Sequence, residues 1–316
     1  LLDAGVRIEQ NVRLAPYTSI KIGGPADLFT RVDNVEQFVA VLDWAVTNQT
    51  PYFLLGGGSN ILVSDKGIRG LVIYNRCRET SFGDEPEAQK QRDSSAENGP
   101  ETILSVESGA LMAGVARQSV QRGLYGLEWA VSLPGTVGGA VVGNAGAYSA
   151  EVKDNLLDAR IYCGLDSIES VSASKMHYGY RSSELKRRSP LQAGFNPVVL
   201  SARFRLTQGD ADKVGQRAKQ YLNHRRQTQP TQPSIGSTFQ NPPGDYAGKL
   251  IEEAGLKGRR VGGVEVSTVH ANFIINNGEE EAQAAHVMEL IEIVREAVRN
   301  NTDVDLVPEI QLAGEW

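Results

Sequence analysis

Bare backbone is concentrated in two stretches of this chain, Gly56-Gly57-Gly58-Ser59-Asn60 and Leu133-Pro134-Gly135-Thr136-Val137-Gly138-Gly139 running on to Gly146 and Tyr148. Glycine removes the Cβ and lets backbone approach a neighbour closely. The neighbour is either another part of the chain or a large flat or phosphorylated ligand met by free N–H groups. The second stretch is apolar between its glycines and almost uncharged, which is not the composition of a solvated linker. The first fails both common phosphate-loop patterns. A P-loop ends in Gly-Lys-Ser/Thr, which Ser59-Asn60 does not supply. A dinucleotide fingerprint needs a third glycine where Ile61 stands, then a helix, and Lys66-Gly67 breaks the chain too soon for one. A tight turn between two strands remains, either structural or a cradle for a pyrophosphate.

Three polar positions stand apart. Arg181, in Tyr180-Arg181-Ser182-Ser183-Glu184, offers a planar fork suited to carboxylate or phosphate. The Lys186-Arg187-Arg188 run beyond it reads as solvated surface. Ser237 lies in the compact turn Ile235-Gly-Ser-Thr-Phe-Gln-Asn-Pro242. It could be a nucleophile, but its surroundings lack the Gly-x-Ser-x-Gly pattern. Glu309 sits in an apolar β-type segment, where a carboxylate is costly to bury unless paired, or else points outward by strand alternation. The four histidines, His177, His224, His270 and His286, show no triad or metal spacing.

The elements that must position these residues follow from periodicity. Asn34–Asn48 reads as an amphipathic helix with Val35, Phe38, Val39, Leu42, Ala45 and Val46 on one face, capped by Asp33 with Glu36 three residues on. A strand over Tyr52–Leu55 precedes the first glycine turn. Residues 81–100 are polar enough to read as an exposed loop. A helix over Leu111–Arg122 closes at Gly123, and short strands and turns fill the chain to about Leu206. Ala159–Cys163 and Val198–Leu206 are the clearest of those strands. Asp210–Arg226 reads as a polar helix broken by Gln227-Thr-Gln-Pro. The last third carries helices over Tyr246–Ala254 and Glu279–Val298, with β-type runs at Ala271–Ile275 and Pro308–Leu312. The pattern is α+β.

A chain of 316 residues with 41% hydrophobic content is expected to form two or three domains. A net charge of −6 argues against nucleic-acid or membrane-surface binding. Two cysteines, Cys77 and Cys163, are too few for a disulfide scaffold or zinc cluster, and no metal site is expected. No apolar run reaches spanning length and no basic-then-apolar leader opens the sequence, so a cytoplasmic protein is expected.

In order, the chain carries Thr18-Ser-Ile-Lys-Ile-Gly-Gly-Pro-Ala-Asp27, Leu55-Gly-Gly-Gly-Ser-Asn-Ile-Leu-Val63, Leu133-Pro-Gly-Thr-Val-Gly-Gly-Ala140 and Asn144-Ala-Gly-Ala-Tyr148. Tyr180-Arg181, Gly236-Ser-Thr-Phe-Gln-Asn-Pro242, His270-Ala-Asn-Phe273 and Pro308-Glu309 follow. Nearly end to end, this resembles the UDP-N-acetylenolpyruvoylglucosamine reductase (MurB) family, in the shorter form without an inserted substrate-covering loop.

The resemblance implies a two-subdomain FAD-binding fold of the vanillyl-alcohol-oxidase (PCMH) type, over 1–75 and 76–208. A C-terminal α+β substrate-binding domain over 209–316 completes it. It implies tightly bound FAD, with NADPH as co-substrate and UDP-N-acetylglucosamine enolpyruvate as substrate. The product would be UDP-N-acetylmuramate for peptidoglycan, with links to cell shape, division and cell cycle. By the same resemblance Gly56, Gly57, Gly58, Ser59, Asn60, Pro134, Gly135, Thr136, Gly138, Gly139 and Gly146 contact FAD. Arg181, Ser237 and Glu309 take the catalytic positions, and Arg181, Arg225, Gln240 and Asn241 lie near the substrate. Gln240 departs from the lysine common there, and Ser149-Ala150 replace a more usual glycine pair. A monomer is the default. Two other readings are a different flavin oxidoreductase on the same fold and a sugar-nucleotide-binding protein without turnover.

Overall fold

A computed structural model describes residues 5–83, 99–188, 197–278 and 281–316. The chain forms two compact units from interleaved segments. The first comprises Leu1–Ile8, Thr30–Gly56 and Ile73–His224; the second comprises Glu9–Phe29, Gly57–Val72 and Arg225–Trp316. Among the described residues the α-helices are α1 (Val35–Thr47), α2 (Met112–Gln121), α3 (Val137–Gly143), α4 (Glu184–Arg188), α5 (Ala211–Thr228), α6 (Ala247–Glu253) and α7 (Ala284–Thr302). None of them is long and apolar enough to cross a membrane. Four strands, Ile8–Arg13, Pro25–Val32, Ile68–Asn75 and Tyr52–Leu55, form a sheet in that order.

The first unit is organised by an antiparallel sheet in the order Ser167–Ser172, Leu156–Gly164, Val198–Gln208, Glu101–Glu107, Thr80–Gly83. Its long strand alternates, as the sequence does. Leu200, Ala202, Phe204 and Leu206 are buried, while Arg203 turns to the other face and forks onto Asp158 of the neighbouring strand at 3.0 and 2.5 Å. Helices α2 and α3 supply Met112, Val115, Ala116, Val137, Ala140 and Val141 to the same core.

Two local expectations change here. The cap of α1 is Asn34, not Asp33: Gln37 N–H donates to Asn34 Oδ1 at 2.9 Å. Asp33 instead donates its own N–H to Gln37 Oε1 at 3.0 Å. The second change is α3, a helix inside a stretch read as strands and turns. Each helical glycine costs about 1 kcal/mol against alanine, so propensity argues against it. Tertiary bonds supply what propensity lacks. Val137 N–H donates to Ala110 O at 2.9 Å and Gly138 N–H to Ser108 O at 2.8 Å. Helix α5 also runs through Gln227-Thr228, where a break was expected. Of the loop expected at 81–100, Thr80–Gly83 is a strand, and 84–98 lie outside the described residues.

The second unit is an antiparallel sheet in the order Ser234–Ser237, Phe273–Asn276, Val264–Val266, Arg260–Val261. Helices α6 and α7 bury Leu250, Ile251, Val287, Leu290, Ile291 and Val294 with this sheet. Gln311–Ala313 pairs in parallel with Ile61–Val63. Backbone passes backbone closely near Asp65. A Cβ on Gly24 would lie 2.1 Å from Asp65 O, and one on Gly67 1.8 Å from Pro25 O. That crossing aims the Asp65 carboxylate at the start of α7, where it accepts from Ala284 N–H (2.8 Å) and Ala285 N–H (2.9 Å). Gln283, the N-cap residue itself, gives no side-chain cap. Asp65→Ala is expected to destabilise the protein by about 1–2 kcal/mol, with Asp65→Asn costing less. Urea unfolding measures both, and unchanged midpoints contradict the capping account.

Candidate active site

In the second unit, backbone hydrogen bonds assemble the polar groups. The strand Ser234–Ser237 turns at Gly236, whose φ of +77° disfavours any residue with a Cβ. Thr238 N–H donates to Asn272 O at 2.8 Å. Asn272, buried, then grips the next residue with its side chain. It accepts from Phe239 N–H at 2.9 Å and donates to Phe239 O at 2.8 Å. On the other side Glu309 N–H donates to Thr238 O at 2.8 Å and Gln240 N–H to Val307 O at 2.9 Å, with Phe239 bridging Pro308. Half-buried Glu309 is thereby registered beside the residue that follows Ser237.

The first glycine turn belongs to this framework from Gly57 onward. Asn60 Nδ2–H donates to Glu309 O at 3.3 Å, and Gln311 N–H to Asn60 O at 3.0 Å. Gly58, at φ +60°, leaves no room for a side chain, since its Cβ would lie 2.4 Å from Tyr17 O. Ser19 N–H donates to Gly58 O at 2.9 Å, and Ser19 Oγ–H reaches Ser234 O at 2.6 Å. Ser19 therefore ties the glycine turn to the Ser237 strand.

A cavity of about 360 Å³ opens beside Ser237, lined also by Asn241, Tyr246, Lys249, His270 and Asn272. Asn241 is exposed and accepts Ala247 N–H at 3.1 Å, which anchors the start of α6. His270 accepts Asn272 N–H on Nδ1 at 3.2 Å, so its neutral form carries the proton on Nε2. Burial, with the Lys257 ammonium adding to it, holds the imidazole below its ordinary range. Neutral His270 thus offers a donor, beside a lysine and an exposed tyrosine. In the sequence His270 shows neither triad nor metal spacing, and Ser19, Tyr246 and Lys249 carry no chemical signature of their own. Nothing in their local patterns separates them from ordinary surface.

The first unit holds Arg181. Gly179 and Ser182 exchange backbone hydrogen bonds at 3.0 and 3.2 Å, so Tyr180 and Arg181 form the corners of a tight turn. Arg181 takes φ +52°, at a corner where such turns usually place glycine. A left-handed non-glycine residue costs roughly 1–2 kcal/mol, and such strain clusters at functional sites. The turn is anchored to the end of α3: Asn144 Nδ2–H donates to Gly179 O at 3.1 Å, and Ser183 Oγ–H to Val142 O at 2.5 Å. Half-buried Arg225 sits in the last turn of α5. That helix is held by Tyr148, which stacks on Tyr221 at 4.3 Å and donates its hydroxyl to Tyr221 O at 3.0 Å. Tyr148 and Ser149 take φ of +55° and +64°, at the place where Ser149 stands for an expected glycine.

The glycines of the two stretches divide by task. Gly56, Gly138 and Gly146 serve the protein's own packing, because their Cβ atoms would meet Thr136 Oγ1 at 2.5 Å, Ser108 Cβ at 2.9 Å and Ala150 O at 2.6 Å. Gly139 differs. It is exposed, and the nearest atom to its Cβ position is Thr136 Oγ1 at 3.7 Å. Pro134 is exposed beside it, and Gly135 turns at φ +96°. This open glycine surface is a cradle that a side chain would fill, and it suits a flat cofactor. A Gly139→Val variant is expected to fold with no loss of stability but to bind FAD at least tenfold more weakly in a fluorescence titration. Wild-type affinity contradicts the cradle.

Residues 26–171 match the model of an FAD binding domain, and 229–313 match that of the UDP-N-acetylenolpyruvoylglucosamine reductase C-terminal domain. A UDP-N-acetylenolpyruvoylglucosamine reductase of Synechococcus sp. (strain RCC307) is 40% identical, over 99% of this chain and 96% of its own length. One of Clostridium novyi (strain NT) is 40% identical over 98% of this chain and 92% of its own. The crystal structure of UDP-N-acetylenolpyruvylglucosamine reductase (MurB) from Thermus caldophilus superimposes with a TM-score of 0.76 at 31% identity. That match covers 98% of this chain and 99% of the other.

Proposed function

Because the chain belongs to the UDP-N-acetylenolpyruvoylglucosamine reductase family, we propose which of its residues carry out that family's reaction. The enzyme is an FAD-dependent oxidoreductase that reduces UDP-N-acetylglucosamine enolpyruvate to UDP-N-acetylmuramate in peptidoglycan precursor synthesis, with NADPH as the reductant. Its fold is an FAD-binding domain joined to the family's C-terminal domain. The finer domain limits proposed are 1–75 and 76–208 for the FAD subdomains and 209–316 for the substrate domain. A cytoplasmic monomer serving cell shape and division is proposed with them.

Gly56–Asn60 and Pro134–Gly139, with Gly146 supporting the second stretch, would hold the cofactor. FAD held there would supply the redox chemistry, with NADPH as the source of a hydride for the vinyl carbon distal to the substrate carboxylate. The electron pair of the double bond then moves to the carbon beside the carboxylate and into the carboxylate itself. Arg181 meets that growing charge with charge-assisted hydrogen bonds. Ser237 gives its hydroxyl proton to the carbon, which completes the addition of two hydrogens, and the serine recovers a proton from solvent. Glu309 supports the same centre by hydrogen bonding. Arg225, Gln240 and Asn241 orient the sugar nucleotide.

The observation that carries this reading is the bond from Glu309 N–H to Thr238 O, 2.8 Å. It supports the pairing of the two residues, because Glu309 is bonded to the residue next to Ser237, which lines the cavity. Proton donation of this type is worth about 10²–10⁴ in rate. Ser237→Ala is therefore expected to bind FAD and accept electrons from NADPH normally, while reoxidation by the enolpyruvyl substrate slows by about that factor. Stopped-flow flavin absorbance reads both halves, and normal reoxidation removes Ser237 from the mechanism. Glu309→Gln is expected to lose less activity than Glu309→Ala, since glutamine keeps a hydrogen-bonding group. The reverse order in steady-state kcat would overturn the hydrogen-bonding role.

A further inference from the structure

We propose that Asn272 is a positioning residue for the proton transfer, holding the Ser237–Phe239 turn in register. The inference rests on Ser237 as the proton donor. The ladder between Ser234–Ser237 and Phe273–Asn276 shifts register between Ser234 and Ser237 and ends at the pair Ser237 and Phe273. One more backbone bond follows, Thr238 N–H to Asn272 O. At Phe239 backbone pairing on this side gives way to the Asn272 side chain, whose amide accepts Phe239 N–H and donates to Phe239 O. A side-chain amide thus stands in for a strand partner. Its orientation is forced, because the flipped amide would face donor with donor and oxygen with oxygen.

Phe239 is 2% exposed, so water is not at hand to replace a lost partner. Buried amide groups left unpaired pull the backbone toward other partners, and Ser237 lies two residues away. Asn272 also donates its N–H to His270 Nδ1, which fixes the orientation of a second cavity wall. Phe239, Thr238 and His270 therefore all take their places from one residue that touches neither hydride nor proton.

The test is made on the FAD-loaded enzyme with Asn272→Leu and Asn272→Asp. Leucine removes both Phe239 bonds. Reoxidation by the enolpyruvyl substrate is expected to slow by about 10- to 100-fold, the effect of roughly an ångström of misplacement. Flavin reduction by NADPH, which needs no proton from Ser237, stays within about twofold of wild type. Aspartate gives a readout that a merely structural role would not. Ionised, it still accepts Phe239 N–H but repels Phe239 O. Protonated, it reproduces the asparagine pattern, its hydroxyl donating to Phe239 O. Burial raises such a carboxyl's pKa. Reoxidation by the aspartate variant is thus expected to be slow near about pH 8 and to recover as the pH is lowered, after division by the wild-type profile. That division removes His270, Lys249, Lys257, Glu252 and Glu309, which both proteins share.

Wild-type reoxidation in the leucine variant, or an aspartate deficit that does not change with pH, overturns the proposal. If the leucine variant does not fold, the aspartate comparison, made within one protein, decides. Ser237→Ala measured alongside separates the two claims. Slow Ser237→Ala with normal Asn272→Leu defeats only the positioning role, whereas normal Ser237→Ala defeats the proton-donor reading itself.

Discussion

The candidate site of the second unit depends on a short stretch of backbone, Thr238–Gln240, that is hydrogen-bonded on both sides. Asn272 holds it from the sheet, and Val307–Glu309 hold it from the C-terminal segment. Backbone bonds of this kind are strict about register, because a slip leaves buried N–H and C=O groups unpaired at a cost of about 1–3 kcal/mol each. The arrangement converts a hydrogen-bonding requirement into fixed places for Ser237 and Glu309, the two proposed catalytic residues. Ser237 and Glu309 come from remote parts of the chain, and neither needs its own side chain to reach its place. Asn60 joins the same framework through Glu309 O, so the glycine turn and the serine turn share one support.

Glycine does two different jobs in this protein. At Gly24, Gly58 and Gly67 it lets backbone cross backbone within the second unit, and at Gly56, Gly138 and Gly146 it seats loops and α3 within the first. Gly139 alone among the helical glycines of α3 combines exposure with clearance of the kind a ligand needs. A glycine-rich motif is therefore mostly scaffold, with a small open face. The cost of so many glycines in a helix is met by bonds from Ser108 and Ala110, which make α3 a tertiary rather than a local structure.

That distinction explains what was legible in the sequence. Amphipathic α1 and α7, the alternating strand Val198–Gln208 and the glycine-stopped α2 and α6 follow from side-chain periodicity and capping, which are local. The failure of both standard phosphate loops at Gly56–Asn60 was also legible, and the turn does join two strands. Helix α3 was not, because its stability lies in partners outside its own segment. The cap of α1 was misplaced by one residue since aspartate and asparagine are equivalent candidates until the backbone chooses. Arg181 was singled out by its chemistry, but its left-handed corner was not visible. Asn272 stood in a recognised motif without a role, because its role is geometric, with both hydrogen bonds going to a residue far away in sequence. Ser19 was hidden for the same reason.

In the proposed mechanism the Ser237 hydroxyl is poised over the carbon it protonates. A crystal structure of the enzyme with FAD and UDP-N-acetylglucosamine enolpyruvate bound measures this directly. The expected result is Ser237 Oγ about 3–3.5 Å from the carbon beside the substrate carboxylate, with Thr238–Gln240 still bonded to Asn272 and to Val307–Glu309. Ser237 Oγ turned away from that carbon, with a different donor nearer to it, would contradict the account.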